Sequence, residues 1–559
     1  MLWRRFRKKR QTEIAPDEIL LDSENLPDFD RDRFEGRLER PLSRRTLTIA
    51  GAVAMFVIAT MLVRAGELQL VQGTVYAEQA EENQLAEVVL FADRGIITDR
   101  NGESLAYNER TSVADDFATR VYAAYRGIAH VVGYVRSPQK DSSGFYYRES
   151  YEGVDGAEET FNQALAGVNG LKLTETDARG KVVSEATTRP PQTGQKLVLS
   201  IDAKVSQGLY DVLAKRVAQA RAQGAAGVIM DTRTGELLAL VSYPEFSPGS
   251  MVEGDKETIA TYNKDKRQPF LDRAVDGLYA PGSIIKPLMA AAALEEGVIT
   301  EHTLITSTGQ LTLPNPYDPS KPSIFKDWRA HGTMTVRDAI AVSSDVFFYQ
   351  VGGGFQSQKG IGISNIAKYF KMFGYGSDAG LDGFSSKTGT VPTPEWKAAN
   401  FPNDPVWRVG NTYHTSIGQY GMQVTPLQVV RETAAIANGG TLLKPTLVAS
   451  STPQGTKLPI SAYSLQVARE GMRQSVTKGI ATAINFGFVE PAAKTGTAEV
   501  GARKEYQNAW MVGFWPYDKP KYAFVVVMEK LPAGTMIGGG AVMSDFLTWM
   551  HQNAPQYLQ

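Results

Sequence analysis

Cysteine is absent from all 559 residues, which excludes disulfides, thiolate metal sites and any thiol nucleophile. Histidine is scarce, with five copies scattered so that no Ser-His-Asp arrangement suggests itself. A surplus of either charge is also missing: 59 Lys and Arg stand against 60 Asp and Glu, for a net charge of -1. That balance gives no reason to expect a nucleic-acid partner. What is present is ordinary. Apolar residues make up 43% and charged residues 21% of a chain long enough for two or three folded domains, with no internal repeat.

The first ten residues include Arg4, Arg5, Arg7, Lys8, Lys9 and Arg10, and a polar stretch with Pro16 and Pro27 follows. This reads as a flexible tail compatible with a membrane surface. Arg44 and Arg45 then precede Thr46 to Val63, an apolar run without a charge. At 1.5 Å per residue it spans about 27 Å, close to the hydrocarbon thickness of a bilayer. Basic residues lie in front of it, and Glu67, Glu78, Glu81 and Glu82 lie behind. The positive-inside rule therefore predicts a single-pass protein of the inner (cytoplasmic) membrane, with a cytoplasmic N-terminus and an extracytoplasmic body. A cleaved signal peptide, cut near Val63-Arg64-Ala65, is the rival; the long preceding tail and the length of the run favour an uncleaved anchor.

Beyond the anchor, Gln69 to Glu87 is amphipathic and predicts continued helix. Arg94 to Glu103 carries an apolar strand and an Arg-Asn-Gly turn, the pattern of a surface hairpin. Ala129 to Val135 predicts a short strand, and Gly153 to Leu165 a turn into a short helix. Arg189-Pro190-Pro191-Gln192-Thr193-Gly194 is a linker. It divides the chain into a tail (1-45), an anchor (46-63), a pedestal (64-194) and a larger domain (195-559). In the larger domain Lys196 to Ile201 predicts a strand and Lys204 to Gln223 a helix. Hairpins are expected over Ala225 to Val241 and Asn508 to Met528, one helix over Thr335 to Val351, and a last helix over Met543 to His551. Strands at both ends with helices between predict an α+β domain whose antiparallel sheet joins its two ends.

Three short motifs carry chemistry. Ser283 stands three residues before Lys286 at a loop-to-helix junction, so both side chains share a face and the amine leans toward the hydroxyl. Pro287 lacks the N–H that would bond the Ser283 carbonyl, so an irregular first turn is expected. Ser343-Ser344-Asp345 interrupts an apolar helical run with polar groups that are costly to bury unpaired. In Lys494-Thr495-Gly496-Thr497, strand alternation puts both threonines on one face, and Gly496 permits close backbone approach. Lys387-Thr388-Gly389-Thr390 repeats the same letters, but Pro392 and Pro394 bar a central strand there. Asp327 and His331 could share a metal, but two ligands without cysteine fall short of the four zinc prefers, and none is expected.

The order S-x-x-K, S-x-D, K-T-G behind a membrane anchor resembles the penicillin-binding and serine β-lactamase-like transpeptidases. So do Arg94-Gly95 to Gly102, Leu105-Ala106, Gly156 to Phe161, Ser416-Ile417-Gly418-Gln419 and Val424 to Gln428. Asp327-Trp328 with His331-Gly332, Asp345 with Phe347-Phe348-Tyr349, and Val391 to Trp396 are similar to the monofunctional, class B, elongation-type members. The resemblance implies a transpeptidase domain on a small mixed pedestal, acting on the D-Ala-D-Ala end of peptidoglycan stem peptides and acylated by β-lactams. It implies Ser283 as nucleophile, Lys286 as base, Ser343 as proton relay with Asp345 beside it, and Lys494, Thr495 and Thr497 around the substrate carboxylate, with Gly496 between. No cofactor is implied. The expected partner is a lipid-II-polymerising membrane glycosyltransferase of the shape, elongation, division and sporulation family. Three departures stand out: Asp345 stands where most of the wider family has Asn, although Asp resembles the elongation-type pattern; Tyr420 replaces the usual second Gly of a G-Q-G; and only twenty residues separate Asn108 from Ala129, where relatives carry a longer head. The rival readings are a division-type transpeptidase, a hydrolase, a penicillin sensor and a non-catalytic scaffold. A glycosyltransferase in the same chain has too little room between residues 64 and 195.

Overall fold

The computed structural model describes residues 43–76, 85–112, 115–176, 182–315 and 318–559. The chain divides into two compact units, Met1–Leu85 and Ala86–Gln559. In the first, helix α1 (Arg44–Gly66) is N-capped by Ser43, whose hydroxyl accepts from the Thr46 N–H. None of its apolar window is buried, and its mean hydropathy is 2.2. Among the described residues it is the helix long and apolar enough to cross a membrane. The amphipathic helix expected to Glu87 does not reach that far. Leu85–Leu90 is a strand, and residues 77–84 lie outside the described residues.

The pedestal is built on a short sheet. Strands β1 (Ile97–Thr98) and β2 (Ser104–Glu109) form the expected antiparallel hairpin, and β3 (Thr119–Tyr122) extends it. On the other side β4 (Leu197–Val198), which lies beyond the boundary expected at 194, pairs parallel to β1 and so joins the larger domain to the pedestal sheet. The hairpin is not superficial: Arg94, Ile97, Thr98 and Asp99 are buried. The reason is Glu158, in the short helix Gly156–Thr160. Its carboxylate accepts from Arg94 Nε at 2.6 Å, Arg120 Nε at 2.7 Å and the Tyr122 hydroxyl at 3.3 Å, with all three charged side chains fully buried. Two distant motifs, Arg94-Gly95 and Gly156 to Phe161, are thus one ionic knot. Removing its anion would strand two guanidinium groups in low dielectric. Glu158→Ala is expected to cost about 3–5 kcal/mol by urea unfolding and to expose the pedestal to limited proteolysis; an unchanged midpoint would show the knot to be dispensable.

The strand expected over Ala129 to Val135 is instead one helical turn, Ala129–Val132, followed by a two-residue strand. Ile128 through Val132 are buried consecutively, without the alternation a half-exposed strand needs, and Gly133 at φ 74° ends the turn.

The larger domain is organised by helix α2 (Ala203–Ala220) and strands β5 (Gly224–Asp231), β6 (Leu237–Tyr243), β7 (Ala492–Val500), β8 (Tyr506–Trp515) and β9 (Tyr522–Pro532). Their order is β6-β5-β9-β8-β7, antiparallel throughout. Ala225 opposite Met528 closes the two ends of the domain on each other. β5 is buried along its whole length, because both faces of the sheet are covered. Ile229, Phe524, Val526 and Met528 pack with Val205 and Leu209 of α2 and Phe546 of the last helix. Val228, Val525 and Val527 pack on the other side with Leu288, Val429 and Val430. Residues of opposite parity therefore serve two cores, each fully buried Val, Leu or Phe contributing about 1.5–3 kcal/mol. The fold is α+β, as expected, and its edge strand β7 is left free to line a site.

Candidate active site

Ser283 does not lie in an α-helix. Gly282–Ile285 is a 3-10 turn, and helix α3 (Lys286–Glu295) begins only at the lysine. Pro287 explains the change: without its N–H, the Ser283 carbonyl takes the Lys286 N–H instead, an i to i+3 bond. In such a turn positions i and i+3 eclipse, so Lys286 stands directly in line with Ser283.

The turn is clamped from both sides. Trp510 Nε1 of β8 donates to the Ala280 carbonyl at 3.0 Å, and Tyr279 and Val424 exchange backbone hydrogen bonds. The Gly282 N–H donates to the Gly418 carbonyl at 2.9 Å. Gly282 (φ 59°) and Gly418 (φ 75°) are so closely packed that a Cβ on the former would lie 2.7 Å from the Thr497 carbonyl oxygen, and one on the latter 2.3 Å from that of Gly282. This accounts physically for Ser416-Ile417-Gly418-Gln419. Edge strand β7 passes on the far side, its free backbone groups turned outward from the sheet. Gly496 allows that approach, since a Cβ there would meet Ile284 Cγ2 at 2.7 Å.

The helix expected over Thr335 to Val351 breaks in two. Helix α4 (Val336–Val342) ends at Ser343 in a left-handed conformation (φ 60°), and Ser344 caps helix α5 (Asp345–Gly353) by accepting from the Phe347 N–H. The break turns Ser343 and Asp345 toward the first motif. Lys286 Nζ donates to the Ser343 carbonyl (2.9 Å), Ser343 Oγ (3.2 Å) and Asp345 Oδ1 (2.6 Å), three acceptors for the three protons of an ammonium. Lys494 Nζ donates to the same Ser343 Oγ at 2.8 Å and to the Thr495 carbonyl at 2.7 Å. Both lysines are fully buried. With N–H donors on both of its lone pairs, Ser343 Oγ keeps its own proton free to donate.

Burial, and then the like charge of Lys286, hold the Lys494 amine well below the usual lysine range, while Asp345 pulls the other way. The unfolded chain therefore binds a proton at Lys494 that the folded one has lost, over the window from the lowered folded value to about pH 10.4. Stability rises with pH across that window. Lys494→Met is expected to remove this slope, measured as the difference in urea midpoint between wild type and variant from pH 7 to 10; parallel curves would contradict it.

Ser283, Asp345 and Thr497 face a cleft of about 670 Å³, together with Tyr349, His414, Tyr420, Glu499 and Lys504. Lys494 and Ser343 lie beneath it, Thr495 is half-buried and Gly496 is buried. So the three motifs meet, but Lys494 points at Ser343 rather than into the cleft. Tyr420 adopts the left-handed backbone (φ 61°) that a glycine would take without strain and stands among Trp396, Phe401 and Trp407. Glu499 was legible in principle, being one alternation beyond Thr497 on the cleft face. The later K-T-G lies in a strand; Lys387 to Gly389 do not.

The sequence singles out Asp327, as a possible metal ligand and a motif residue, but gives no sign of its role in holding the second motif. Its Oδ2 accepts from Ser344 Oγ (2.6 Å), Ser307 Oγ (3.0 Å) and the Val346 N–H (3.1 Å), and its Oδ1 from the Trp328 N–H (2.9 Å) with His331 Nε2 3.5 Å away. The carboxylate pins the turn that presents Ser343 and Asp345. Burial pushes its pKa up, but donors from Ser344, the backbone of Asp345 and Val346, and Ser307 outweigh it and leave the carboxyl below its usual range. Its stabilisation is thus present above the usual carboxylate pKa and is lost as pH falls through the lowered value. Asp327→Ala is expected to cost about 2–4 kcal/mol at neutral pH by urea unfolding, and Asp327→Asn, which keeps an acceptor oxygen, less. Equal losses would mean that side-chain volume, not the hydrogen bonds, is what matters.

An eclipsed serine and lysine, a second serine shared by two buried amines and an edge strand beside the cleft define a serine acyl-transfer enzyme. Residues 225–544 match the penicillin binding protein transpeptidase domain and residues 113–199 the penicillin-binding protein dimerisation domain. The chain belongs to the penicillin-binding protein transpeptidase family. Within it the chain is of the elongation type, class B. It is 27% identical to peptidoglycan D,D-transpeptidase MrdA of Escherichia coli K12, over 89% of this chain and 93% of the relative. To MrdA of Acinetobacter baumannii it is 32% identical, over 74% of this chain and 63% of the relative. Among solved structures it is similar to penicillin-binding protein 2 of Helicobacter pylori in complex with MreC (TM-score 0.68, 26% identity, covering 84% of this chain and 99% of that one). It is also similar to penicillin-binding protein 2 of Pseudomonas aeruginosa in complex with WCK 5153 (TM-score 0.66, 28% identity, 83% and 97%).

Proposed function

We propose that this protein is a peptidoglycan D,D-transpeptidase of cell-wall elongation, working through an acyl-enzyme on Ser283. The observation that carries the reading is Ser343 Oγ, held by Lys286 and Lys494 at once beneath the nucleophile. Ser283 Oγ attacks the penultimate D-Ala carbonyl as Lys286 takes its proton. Lys286 passes that proton on through the Ser343 hydroxyl, which it holds at 3.2 Å while Lys494 fixes the same oxygen at 2.8 Å. When the tetrahedral intermediate collapses, Ser343 protonates the departing D-Ala amine. Backbone N–H groups of Ser283 and Thr497 hold the oxyanion, each contributing about 3 kcal/mol. Thr495 and Thr497 offer hydroxyls to the substrate carboxylate. An amine of a neighbouring stem peptide then attacks the ester and forms the cross-link. A β-lactam enters the same path and stays on Ser283.

The division of labour follows the chain: a cytoplasmic tail at 1-45, an inner-membrane anchor at 46-63, a pedestal at 64-194 and the transpeptidase at 195-559 outside. Its working partner is a lipid-II-polymerising membrane glycosyltransferase; one similar structure, of a peptidoglycan synthase complex that coordinates polymerization and crosslinking, supports that pairing. Peptide mapping by mass spectrometry after treatment of the full-length protein with benzylpenicillin tests the assignment. The adduct is expected on the peptide holding Ser283; an adduct confined to Ser343 or Ser344 would overturn it. Cross-linked rather than trimmed muropeptides, made with the polymerase present, separate transpeptidation from carboxypeptidation.

A further inference from the structure

Edge strand β7 continues past Thr497 to Val500. Its outward residues are Thr495, Thr497 and Glu499, with buried Gly496 and Ala498 between them. Glu499 lines the cleft together with Lys504, which belongs to the turn joining β7 to β8. The backbone sets Lys504 in place: its φ is 58°, a left-handed conformation unfavourable to a residue with a Cβ, and its N–H donates to the Gly501 carbonyl at 3.0 Å. Strain of that kind persists where the surroundings fix it, and it clusters at functional sites. The Lys504 amine meets the Glu499 carboxylate at 2.6 Å.

This pair is exposed, 68% for the Lys504 side chain and 59% for Glu499, so water screens it and a ligand can replace either partner at little cost. The other charged groups of the cleft offer less. Asp345 is committed to Lys286 at 2.6 Å. Burial, and then the charge of Lys504, hold His414 below the usual histidine range and leave it neutral at pH 7. Lys326 comes from another strand, Ser323–Lys326, and takes no part in the pair.

The proposed reaction fixes the direction of the donor peptide. With its terminal carboxylate at Thr495 and Thr497 and its penultimate carbonyl at the Thr497 N–H, the donor leaves along β7 toward Glu499. The residue before D-Ala-D-Ala then comes level with Glu499 and Lys504. A side chain there ending in an amine alone would take Glu499 and leave Lys504 unpaired beside a second cation. One ending in an amine and a carboxylate on the same carbon gives Glu499 an ammonium and Lys504 a carboxylate, so every charge keeps a partner. We propose, on the reading that the donor peptide acylates Ser283, that Glu499 and Lys504 are specificity-determining residues. They select a donor whose side chain before D-Ala-D-Ala ends in a zwitterionic amino-acid head over one that ends in an amine alone.

Competition against fluorescent penicillin on the full-length protein in detergent tests this with two synthetic N-acetylated tripeptides. One carries diaminopimelic acid before D-Ala-D-Ala and the other lysine. The diaminopimelate peptide is expected to protect Ser283 at a concentration about tenfold lower than the lysine peptide. Glu499→Gln and Lys504→Met are each expected to bring that ratio to about twofold or less, and Lys504→Arg to preserve it, a pattern that lost packing would not give. Labelling that neither peptide slows, or that both slow equally, overturns the proposal alone. So does a ratio unchanged in both Glu499→Gln and Lys504→Met. Failure of penicillin to label Ser283 in the wild type overturns the acyl-enzyme reading, and the proposal with it.

Discussion

Replacing Ser283 by alanine is expected to abolish covalent labelling by fluorescent penicillin, a loss of roughly four orders of magnitude or more in acylation rate. No neighbouring hydroxyl can substitute. Ser343 is buried beneath two lysines, and Ser344 is consumed by Asp327 and the Phe347 N–H. The fold has no stake in the missing oxygen. The Ser283 side chain is half-buried at the cleft wall, with no hydrogen bond among the described residues, so the urea midpoint is expected to hold within about 0.5 kcal/mol. Residual labelling at wild-type rate would show that another residue is acylated; a large drop in stability would show that the substitution tests folding rather than chemistry.

Lys286→Met is expected to be nearly as severe for acylation and far worse for stability. Methionine fills much of the same space beside Phe348, over whose ring the amine sits at 5.6 Å, but it donates nothing. The Ser343 carbonyl and Ser343 Oγ lose a donor, and Asp345 loses its 2.6 Å partner. The Asp345 side chain is 22% exposed, so water softens the loss, and about 2–3 kcal/mol is expected by urea unfolding. A second effect distinguishes charge from packing. Lys286 is one of the groups that lower Lys494, so its removal lets the Lys494 pKa climb back and narrows the pH window over which stability rises. Lys286→Arg separates charge from proton transfer, because a guanidinium keeps the positive charge yet does not give up its proton. Acylation by the Arg variant at a rate near wild type would remove Lys286 from the proton path.

Several errors of the sequence reading share one cause. Ala129 to Val132 carries strand-forming residues, yet it folds as a helical turn because burial there runs through consecutive positions. Thr335 to Val351 has one continuous helical pattern, yet it breaks at Ser343 because Asp327, remote in sequence, offers Ser344 and Val346 better partners than helix continuation would. Arg94 looked like a surface residue of a hairpin because nothing local announces that Glu158 and Arg120 will enclose it. In each case a long-range contact outbid a local preference.

The apolar runs of the sheet strands, the order of the three polar motifs, the proline after Lys286 and the uncharged run before residue 64 were all written into the sequence. These are local matters: periodicity, turn chemistry and backbone sterics act between near neighbours and need no partner. Tertiary structure alone decided that Lys494 looks down at Ser343 and that a carboxylate at position 327 holds the second motif in place. Each of those depends on desolvation and on where opposite charges come to rest, and both are properties of the folded whole.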